Sequence, residues 1–158
     1  SRLGRHAGKV TTALAVAALL AGAIAPPAET ATSGASAAWR TFDKGELQRL
    51  VASGKTVFVD VTADWCLTCQ VNKKLVLETA PVAGWLDRDD VIPMRADWTR
   101  PDPTISAYLA SFGRYGIPFN AVYGPKAPNG IALPELLTSD IVVETAGRAT
   151  DRATFAQR

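Results

Sequence analysis

The pattern of apolar and polar positions from residue 39 onward predicts short helices that alternate with strands. Asp43 is placed to cap a first helix, because Glu46 follows it at the capping-box spacing and apolar residues then recur every three or four positions. Residues 56–62 are mostly β-branched and apolar, which predicts a central strand buried on both faces. A short turn leads from this strand to a second predicted helix at residues 66–78.

The second half of the pattern predicts another strand, a helix, a hairpin and a last helix. Residues 91–97 are predicted as a strand, and Pro103 opens a third helix. Residues 119–123 and 131–137 are predicted as the strands of a hairpin around a turn rich in Gly and Pro, after which Ser139 caps the last helix. Because a strand–helix–strand unit followed by a hairpin builds one sheet covered by helices, we expect an α/β fold with a mixed four-stranded central sheet flanked by helices.

An apolar segment without charges occupies residues 10–25 and follows a basic flank at residues 1–9. As a helix it spans roughly 24 Å, less than the roughly 30 Å hydrocarbon core of a membrane, so its length favours the apolar part of a signal peptide. Because the sequence begins with Ser rather than Met, we expect a fragment of a longer protein, which favours a short last transmembrane helix; a buried Ala-rich helix is a third interpretation. Both membrane interpretations keep the basic flank in the cytoplasm and deliver the rest of the chain outside it.

Composition separates a linker and a tail from one folded domain. Residues 26–38 are mainly Pro, Ala, Ser and Thr and predict a flexible linker, whereas all twelve aromatic residues follow this segment. We assign the folded domain to residues 39–149 and a tail to residues 150–158. From residue 39 onward basic and acidic residues number 14 each, so the domain lacks the basic excess that binding to nucleic acid requires.

Cys66 and Cys69 are the only cysteines of the chain, and three kinds of site are considered for them. A structural zinc site needs about four ligands, but the only histidine is His6, which precedes the apolar segment. A purely structural disulfide across so short a loop removes little conformational entropy from the unfolded chain. A redox-active pair is the third kind of site, and the predicted position between a buried strand and a helix favours it.

The predicted start of the helix makes Cys66 the candidate nucleophile. Unpaired backbone N–H groups and the helix dipole at this end favour the thiolate, which is the form that attacks a disulfide. Cys69 lies one turn further along on the same helix face. It is therefore placed to attack a mixed disulfide at Cys66 and to release the product.

Four other residues belong to the predicted site. Asp60 lies on the buried strand, where burial raises the pKa of a carboxyl group, and is the candidate acceptor for the proton of Cys69; an acid satisfied by local hydrogen bonds is the alternative. We expect a cis bond between Ile117 and Pro118, opposite the cysteines, that leaves the Ile117 backbone free to pair with an extended substrate peptide. An ordinary trans proline that opens a strand is the alternative. Trp65 is expected at the rim of the site, as a contact surface for partners.

Four segments of the chain read VFVDVTADWCLTCQVNKK, ADWTRPDPTI, FGRYGIPFNAVYG and LPELL. They resemble the thioredoxin superfamily, and most closely the C-terminal periplasmic domain of DsbD-type thiol:disulfide interchange proteins, including their ScsB-like relatives. The resemblance covers residues 39–149 and implies a thioredoxin-like fold. The positions that it matches to functional residues are Cys66 as the nucleophile, Cys69 as the resolving cysteine, Asp60 and Asp64 as acids near the pair, and Pro118 as the cis-proline.

The resemblance implies a protein-disulfide reductase that passes electrons from a membrane donor domain to periplasmic thiol and disulfide proteins, with a link to cytochrome c biogenesis. It implies an inner-membrane protein, held through residues 10–25, whose thioredoxin-like domain lies on the periplasmic side. Dithiol–disulfide exchange needs no metal or organic cofactor, and we expect none. The two residues between the cysteines are Leu67 and Thr68. The absence of a histidine at these positions favours a reductant. The alternatives are a thiol oxidase or isomerase that uses the same pair, or a non-catalytic thioredoxin-like binding module with a structural disulfide.

Overall fold

Helices and strands occupy most of residues 38–150, the part of the chain that the computed structural model describes. In chain order they are β1 (Arg40–Thr41), α1 (Lys44–Ala52), β2 (Thr56–Thr62), α2 (Leu67–Asn72), a π-helical segment (Lys73–Leu77), α3 (Val82–Leu86), β3 (Val91–Asp97), α4 (Pro103–Ala110), β4 (Phe119–Gly124), β5 (Ala127–Ala132) and α5 (Ser139–Thr150). The apolar segment at residues 10–25, the basic flank and nearly all of the linker and tail lie outside the described residues. Within the described range no helix has the length and apolarity needed to cross a membrane.

A five-stranded sheet runs through this part of the chain in the order β1-β3-β2-β4-β5. β2 lies at its centre, parallel to β3 and antiparallel to β4, so the predicted mixed sheet is confirmed. The sheet has one strand more than the four predicted, because the two residues of β1 pair in parallel with β3. A strand of two residues is too short to carry a periodic pattern in the sequence.

β2 is buried on both faces, as its apolar run predicts. Val57, Val59 and Val61 belong to a core cluster that also holds the buried residues of α1 and α4. Phe58 points to the opposite face and belongs to a second cluster with the π-helical segment, α3 and α5. Full burial of a Val or Phe side chain contributes about 1.5–3 kcal/mol to the free energy of folding. Because β2 buries side chains on both faces, it stabilises the packing of a helical layer on each side of the sheet.

The starts of α1 and α5 are set by side-chain caps. The Asp43 carboxylate accepts the backbone N–H of Glu46, which confirms the predicted cap of α1. At α5 the backbone N–H of Ile141 donates to the Thr138 hydroxyl, so the capping side chain is Thr138 and not the predicted Ser139. Ser and Thr cap a helix in the same way, so the sequence predicts a cap here but only the backbone decides which of the two adjacent hydroxyls faces the helix.

The hairpin and the second helix differ from the prediction in their bounds. The second hairpin strand is Ala127–Ala132 rather than 131–137, because the chain turns back directly after Gly124. This strand is at the edge of the sheet, and its side chains are half-buried or exposed. Its sequence therefore has no apolar run, whereas the apolar residues at 131–137 led to the prediction of a strand there. The helix predicted at residues 66–78 consists of α2 and the π-helical segment, and α3 is a helix that was not predicted.

Replacing Gly124 by Ala is expected to lower the free energy of unfolding by about 1–3 kcal/mol. A Cβ at this position would collide with the backbone carbonyl of Ala149, so α5 would have to move off the hairpin. Gly84→Ala in α3 is the matched control, because a Cβ there meets no atom within 4 Å and Ala favours a helix over Gly by about 1 kcal/mol. Urea unfolding of both variants measures the two effects, and equal midpoints would contradict the close approach of α5.

Candidate active site

Cys66 and Cys69 form a disulfide at the first turn of α2. Cys66 is the capping residue of this helix, and its Sγ accepts the backbone N–H of Cys69 at 3.2 Å. Both residues are nearly buried, 6% and 4% exposed. The predicted arrangement, with Cys66 directly before the helix and Cys69 in its first turn, is therefore present, and the helix start directs a backbone N–H at the Cys66 sulfur.

Three hydrogen bonds hold the turn that precedes Cys66. The backbone N–H of Asp64 donates to the Thr99 hydroxyl at 3.0 Å, and the Trp65 indole donates to the Thr99 carbonyl at 3.2 Å. The Gln70 side chain donates to the Asp64 carbonyl at 2.9 Å. Asp64 thus supports the site through its backbone, with its side chain exposed. Thr99 is a supporting residue that the sequence did not reveal, because it lies 35 residues from Asp64 along the chain.

Thr99 is itself held in place at the end of β3. The Asp97 carboxylate accepts the Thr99 backbone N–H at 2.8 Å, and the hydrogen bonds from Thr99 lower the pKa of Asp97. Because β2 and β3 are parallel, their carboxyl ends meet at the same edge of the sheet. This is why the loop after β3 reaches residues 63–66, the turn between β2 and α2 that we call the cysteine turn.

Exposed apolar side chains flank Cys66 in the chain and precede Ile117. Trp65 and Leu67 flank Cys66 in sequence and are 61% and 78% exposed. Tyr115, 84% exposed, lies two residues before Ile117, which packs against the cluster formed by Ala63, Cys66 and Cys69. We call Trp65, Leu67 and Tyr115 the apolar rim. A cluster of exposed apolar groups is typical of a surface that contacts another protein, which is the role predicted for Trp65.

Ile117 and Pro118 are joined by the expected cis peptide bond. Ile117 is half-buried and packs against Ala63, Cys66 and Cys69, which places this segment beside the disulfide. Neither the N–H nor the C=O of Ile117 makes a hydrogen bond within the described residues. Its pairing with a substrate peptide stays a prediction, and the backbone that this pairing requires is free in the part of the chain that the structure describes.

Asp60 lies in the middle of β2, between polar residues of both neighbouring strands. In the strand register it is opposite Arg95 of β3 and Asn120 of β4. Arg95 Nε lies 3.4 Å from Asp60 Oδ2, and Asn120 Nδ2 donates to Asp60 Oδ1 at 3.0 Å. We call Arg95, Asp60 and Asn120 the polar row. The sequence did not reveal Arg95 and Asn120, because only the register places them beside Asp60.

A cavity of about 240 Å³ connects Asp60 with Cys69. Lys73 and Arg95 also line it, so the candidate proton acceptor and the resolving cysteine share a polar space large enough for water. Asp60 therefore has the local hydrogen bonds of the alternative interpretation and also the access to Cys69 that proton transfer requires. Among the described residues, no group of three or more His, Cys, Asp or Glu side chains is arranged to hold a metal ion.

Burial raises the pKa of Asp60 above its ordinary value of 3.8, because an ionised carboxylate is poorly solvated inside the sheet. The charge of Arg95, the Asn120 hydrogen bond and the charge of Lys73 offset part of this rise. A carboxylate with a raised pKa takes up a proton more readily than an exposed one. The environment of Asp60 thus suits a proton acceptor.

A family model described as thioredoxin-like matches residues 38–125, which is more than half of the chain. The chain belongs to the thioredoxin-like family. The disulfide, the polar row and the Ile117–Pro118 bond all lie within the matched residues. No curated protein sequence matches the chain significantly.

Several solved structures share this thioredoxin-like fold. The oxidised C-terminal domain of Neisseria meningitidis DsbD is 22% identical with a TM-score of 0.55, and the match covers 70% of this chain and 98% of that domain. The reduced form of the same domain is 22% identical with a TM-score of 0.53, and the match covers 67% of this chain and 92% of that domain. A thioredoxin mutant from Halobacterium salinarum NRC-1 is 17% identical with a TM-score of 0.53, over 73% of this chain and 92% of that one. At these identities the likeness establishes the fold, so the thioredoxin-like fold expected from the sequence is confirmed.

Replacing Asp60 by Asn is expected to raise the stability of the protein relative to wild type as the pH increases. The pKa of Asp60 is higher in the folded state than in the unfolded state, so protonation of Asp60 favours folding. This stabilisation is complete below the pKa of the unfolded state and is lost as the pH rises through the pKa of the folded state. Between those two values the difference in free energy of unfolding is expected to grow by at most about 1.4 kcal/mol per pH unit. Urea unfolding at a series of pH values measures it, and a difference independent of pH would contradict the raised pKa.

Proposed function

We propose that this protein is a protein-disulfide reductase that acts by dithiol–disulfide exchange through Cys66 and Cys69. The observation that carries the proposal is the disulfide at the start of α2, with the Ile117 backbone beside it and a cavity that leads from Cys69 to Asp60. A thioredoxin-like fold with a Cys-X-X-Cys pair is suited to thiol–disulfide exchange. The direction of electron flow, toward reduction of partner proteins, is part of the proposal.

The first step is the attack of reduced Cys66 on a partner. The Cys66 thiolate bonds to one sulfur of the partner's disulfide, and the other sulfur leaves as a thiolate and takes up a proton from water. The product is a mixed disulfide between Cys66 and the partner. The Cys69 N–H, 3.2 Å from Cys66 Sγ in the oxidised pair, and the other backbone groups at the helix start favour the attacking thiolate.

The second step releases the partner. The Cys69 thiol passes its proton to the Asp60 carboxylate through the cavity, and the resulting thiolate attacks Cys66 Sγ. The Cys66–Cys69 disulfide forms and the bond from Cys66 to the partner breaks. The second partner sulfur leaves as a thiolate and takes up a proton from water, so the partner is released as a dithiol, and Asp60 returns its proton to solvent. Two electrons have moved from the cysteine pair to the partner, and a dithiol donor must reduce the pair again before the next turnover.

Partner proteins are proposed to dock at the apolar rim. Trp65 and Leu67 supply exposed apolar area on either side of Cys66 in the chain, and Tyr115 supplies it two residues before Ile117. The free N–H and C=O of Ile117 allow an extended partner segment to pair with the backbone there. Such pairing aligns a partner's disulfide with Cys66 without reading the sequence of the segment. The site therefore suits several partner proteins rather than one.

We further propose that the dithiol donor is a membrane domain and that the acceptors are periplasmic proteins, with the chain held in the inner membrane through residues 10–25. The apolar segment behind a basic flank supports this placement, and so does the presence of DsbD C-terminal domains among the similar structures. The absence of histidine between the two cysteines supports a reductant.

Replacing Cys66 by Ser is expected to abolish turnover, because no thiolate remains to attack the partner. Replacing Cys69 by Ser is expected to trap a mixed disulfide at Cys66, because the resolving thiolate is absent. Reduction of insulin with dithiothreitol as donor measures turnover, and non-reducing electrophoresis detects the trapped species. Turnover by the Cys66→Ser variant would contradict the proposed roles.

The equilibrium reduction potential of the cysteine pair tests the direction of the reaction. The full chain is equilibrated in dithiothreitol or glutathione redox buffers, and free thiols and tryptophan fluorescence report the reduced fraction. We expect a potential of roughly −200 to −270 mV, as for protein reductants. A potential near −120 mV would instead indicate a thiol oxidase, and a disulfide that resists reduction below about −300 mV and exchanges with nothing would indicate a structural disulfide in a binding module.

A further inference from the structure

The proposed reaction assigns no role to Arg95 or Asn120, and Asn120 is the member of this pair that lies inside the core. It is 1% exposed and lies on β4. Val122 follows it on the same face of β4, and Phe58 precedes Asp60 on the same face of β2; both are fully buried and belong to the same core cluster. An apolar residue would pack here without the cost of removing an amide from water.

Among the described residues, the Asn120 side chain makes its one hydrogen bond with Asp60. Its Nδ2 donates to Asp60 Oδ1 at 3.0 Å, and its own Oδ1 is buried with no partner within the described residues. The amide oxygen therefore lies in the core without a hydrogen bond, which destabilises the fold. The contact of Asn120 with Asp60 is the interaction that distinguishes it from an apolar residue of the same size.

Asn120 completes the set of donors around the Asp60 carboxylate. Arg95 approaches Oδ2 from β3, and Asn120 approaches Oδ1 from β4, so each oxygen has one donor and the carboxylate is held from both sides of β2. An N–H donor stabilises an ionised carboxylate more than a protonated one. The Asn120 amide therefore favours the form of Asp60 that can accept a proton.

The charged groups near Asp60 are more exposed to solvent than Asn120 is. Those that line the same cavity are Arg95 of β3, Lys73 and Lys74 of the helical segment, Asp64 of the cysteine turn and Asp97 at the end of β3. Arg95 is partly exposed and the remaining four are exposed, so solvent and salt screen their charges. Asn120 is uncharged and fully buried, and its effect is confined to the carboxylate that it contacts.

We propose that Asn120 is a positioning residue that acts through Asp60: its amide N–H holds the carboxylate ionised and in place at the cavity that leads to Cys69. This inference rests on the proposed function, because it assigns to Asn120 the adjustment of proton transfer from Cys69 during release of the partner. Without this N–H, Asp60 keeps Arg95 as its donor on the neighbouring strand and binds its proton more tightly.

The variant Asn120→Leu tests the inference, since it removes the donor and keeps the size of the side chain. In the oxidised full chain, where the cysteines do not titrate, carbon-13 NMR follows the titration of the Asp60 carboxyl group. We expect its midpoint at higher pH than in wild type. In the insulin assay, the acidic limb of the pH profile of kcat/KM is expected to move to higher pH by about half a unit or more, which is a roughly threefold lower rate on that limb.

Two controls separate positioning from packing. Asn72 is another buried Asn, but its amide bonds to the backbone of Glu135 and Leu137, so Asn72→Leu is expected to lower stability and to leave the Asp60 titration and the pH profile unchanged. In an Asp60→Asn background, Asn120→Leu is expected to change the pH profile no further, because the group through which it acts is absent.

An unchanged Asp60 midpoint in a folded Asn120→Leu protein overturns the inference, as does a shift of the pH profile that persists in the Asp60→Asn background. If the Leu variant does not fold, the smaller apolar variant Asn120→Val carries the same test with the same expected shifts. A wild-type protein that reduces no disulfide overturns the proposed function instead. In that case the NMR midpoint still decides whether Asn120 acts on Asp60.

Discussion

The burial of Asp60 in the central strand is the constraint on which the whole site depends. An ionised carboxylate inside β2 is poorly solvated, so it needs donors, and Arg95 and Asn120 supply them from the two neighbouring strands. Arg95 in turn lies 4.1 Å from the centre of the Trp39 ring, and Trp39 packs edge-on against Phe58 of β2. The acid, its partners and part of the aromatic core therefore belong to one packing arrangement.

Sheet topology brings the reacting groups to a common edge. β2 and β3 are parallel, so the cysteine turn and the loop that contains Thr99 leave the sheet at the same end. β4 is antiparallel to β2 and begins at that end, with Phe119 opposite Val61, which brings the preceding Ile117 onto the cysteines. The order and direction of the strands thus bring three segments that are distant in sequence together at one edge of the sheet.

The site separates chemical reactivity from recognition. Both cysteines and Asp60 are nearly buried, and so are the contacts that the backbone N–H makes at Cys66 and that Asn120 makes at Asp60. The apolar rim is exposed, where it can contact another protein. A buried acid with a raised pKa lowers the stability of the folded chain at neutral pH, and the same property makes it a ready proton acceptor. The polar row therefore couples stability to the chemistry that we propose.

Local features were predictable from the amino-acid sequence: the Asp43 cap, the strands Thr56–Thr62 and Val91–Asp97, and the placement of Cys66 at a helix start. Each of these depends on residues a few positions apart. The resemblance to thioredoxins correctly predicted how they assemble. The bounds of the edge strand β5 and the partners of Asp60 depend instead on the folded arrangement of the whole sheet. Arg95 and Asn120 are 35 and 60 residues away from Asp60, and strand register, which no local pattern records, makes them neighbours.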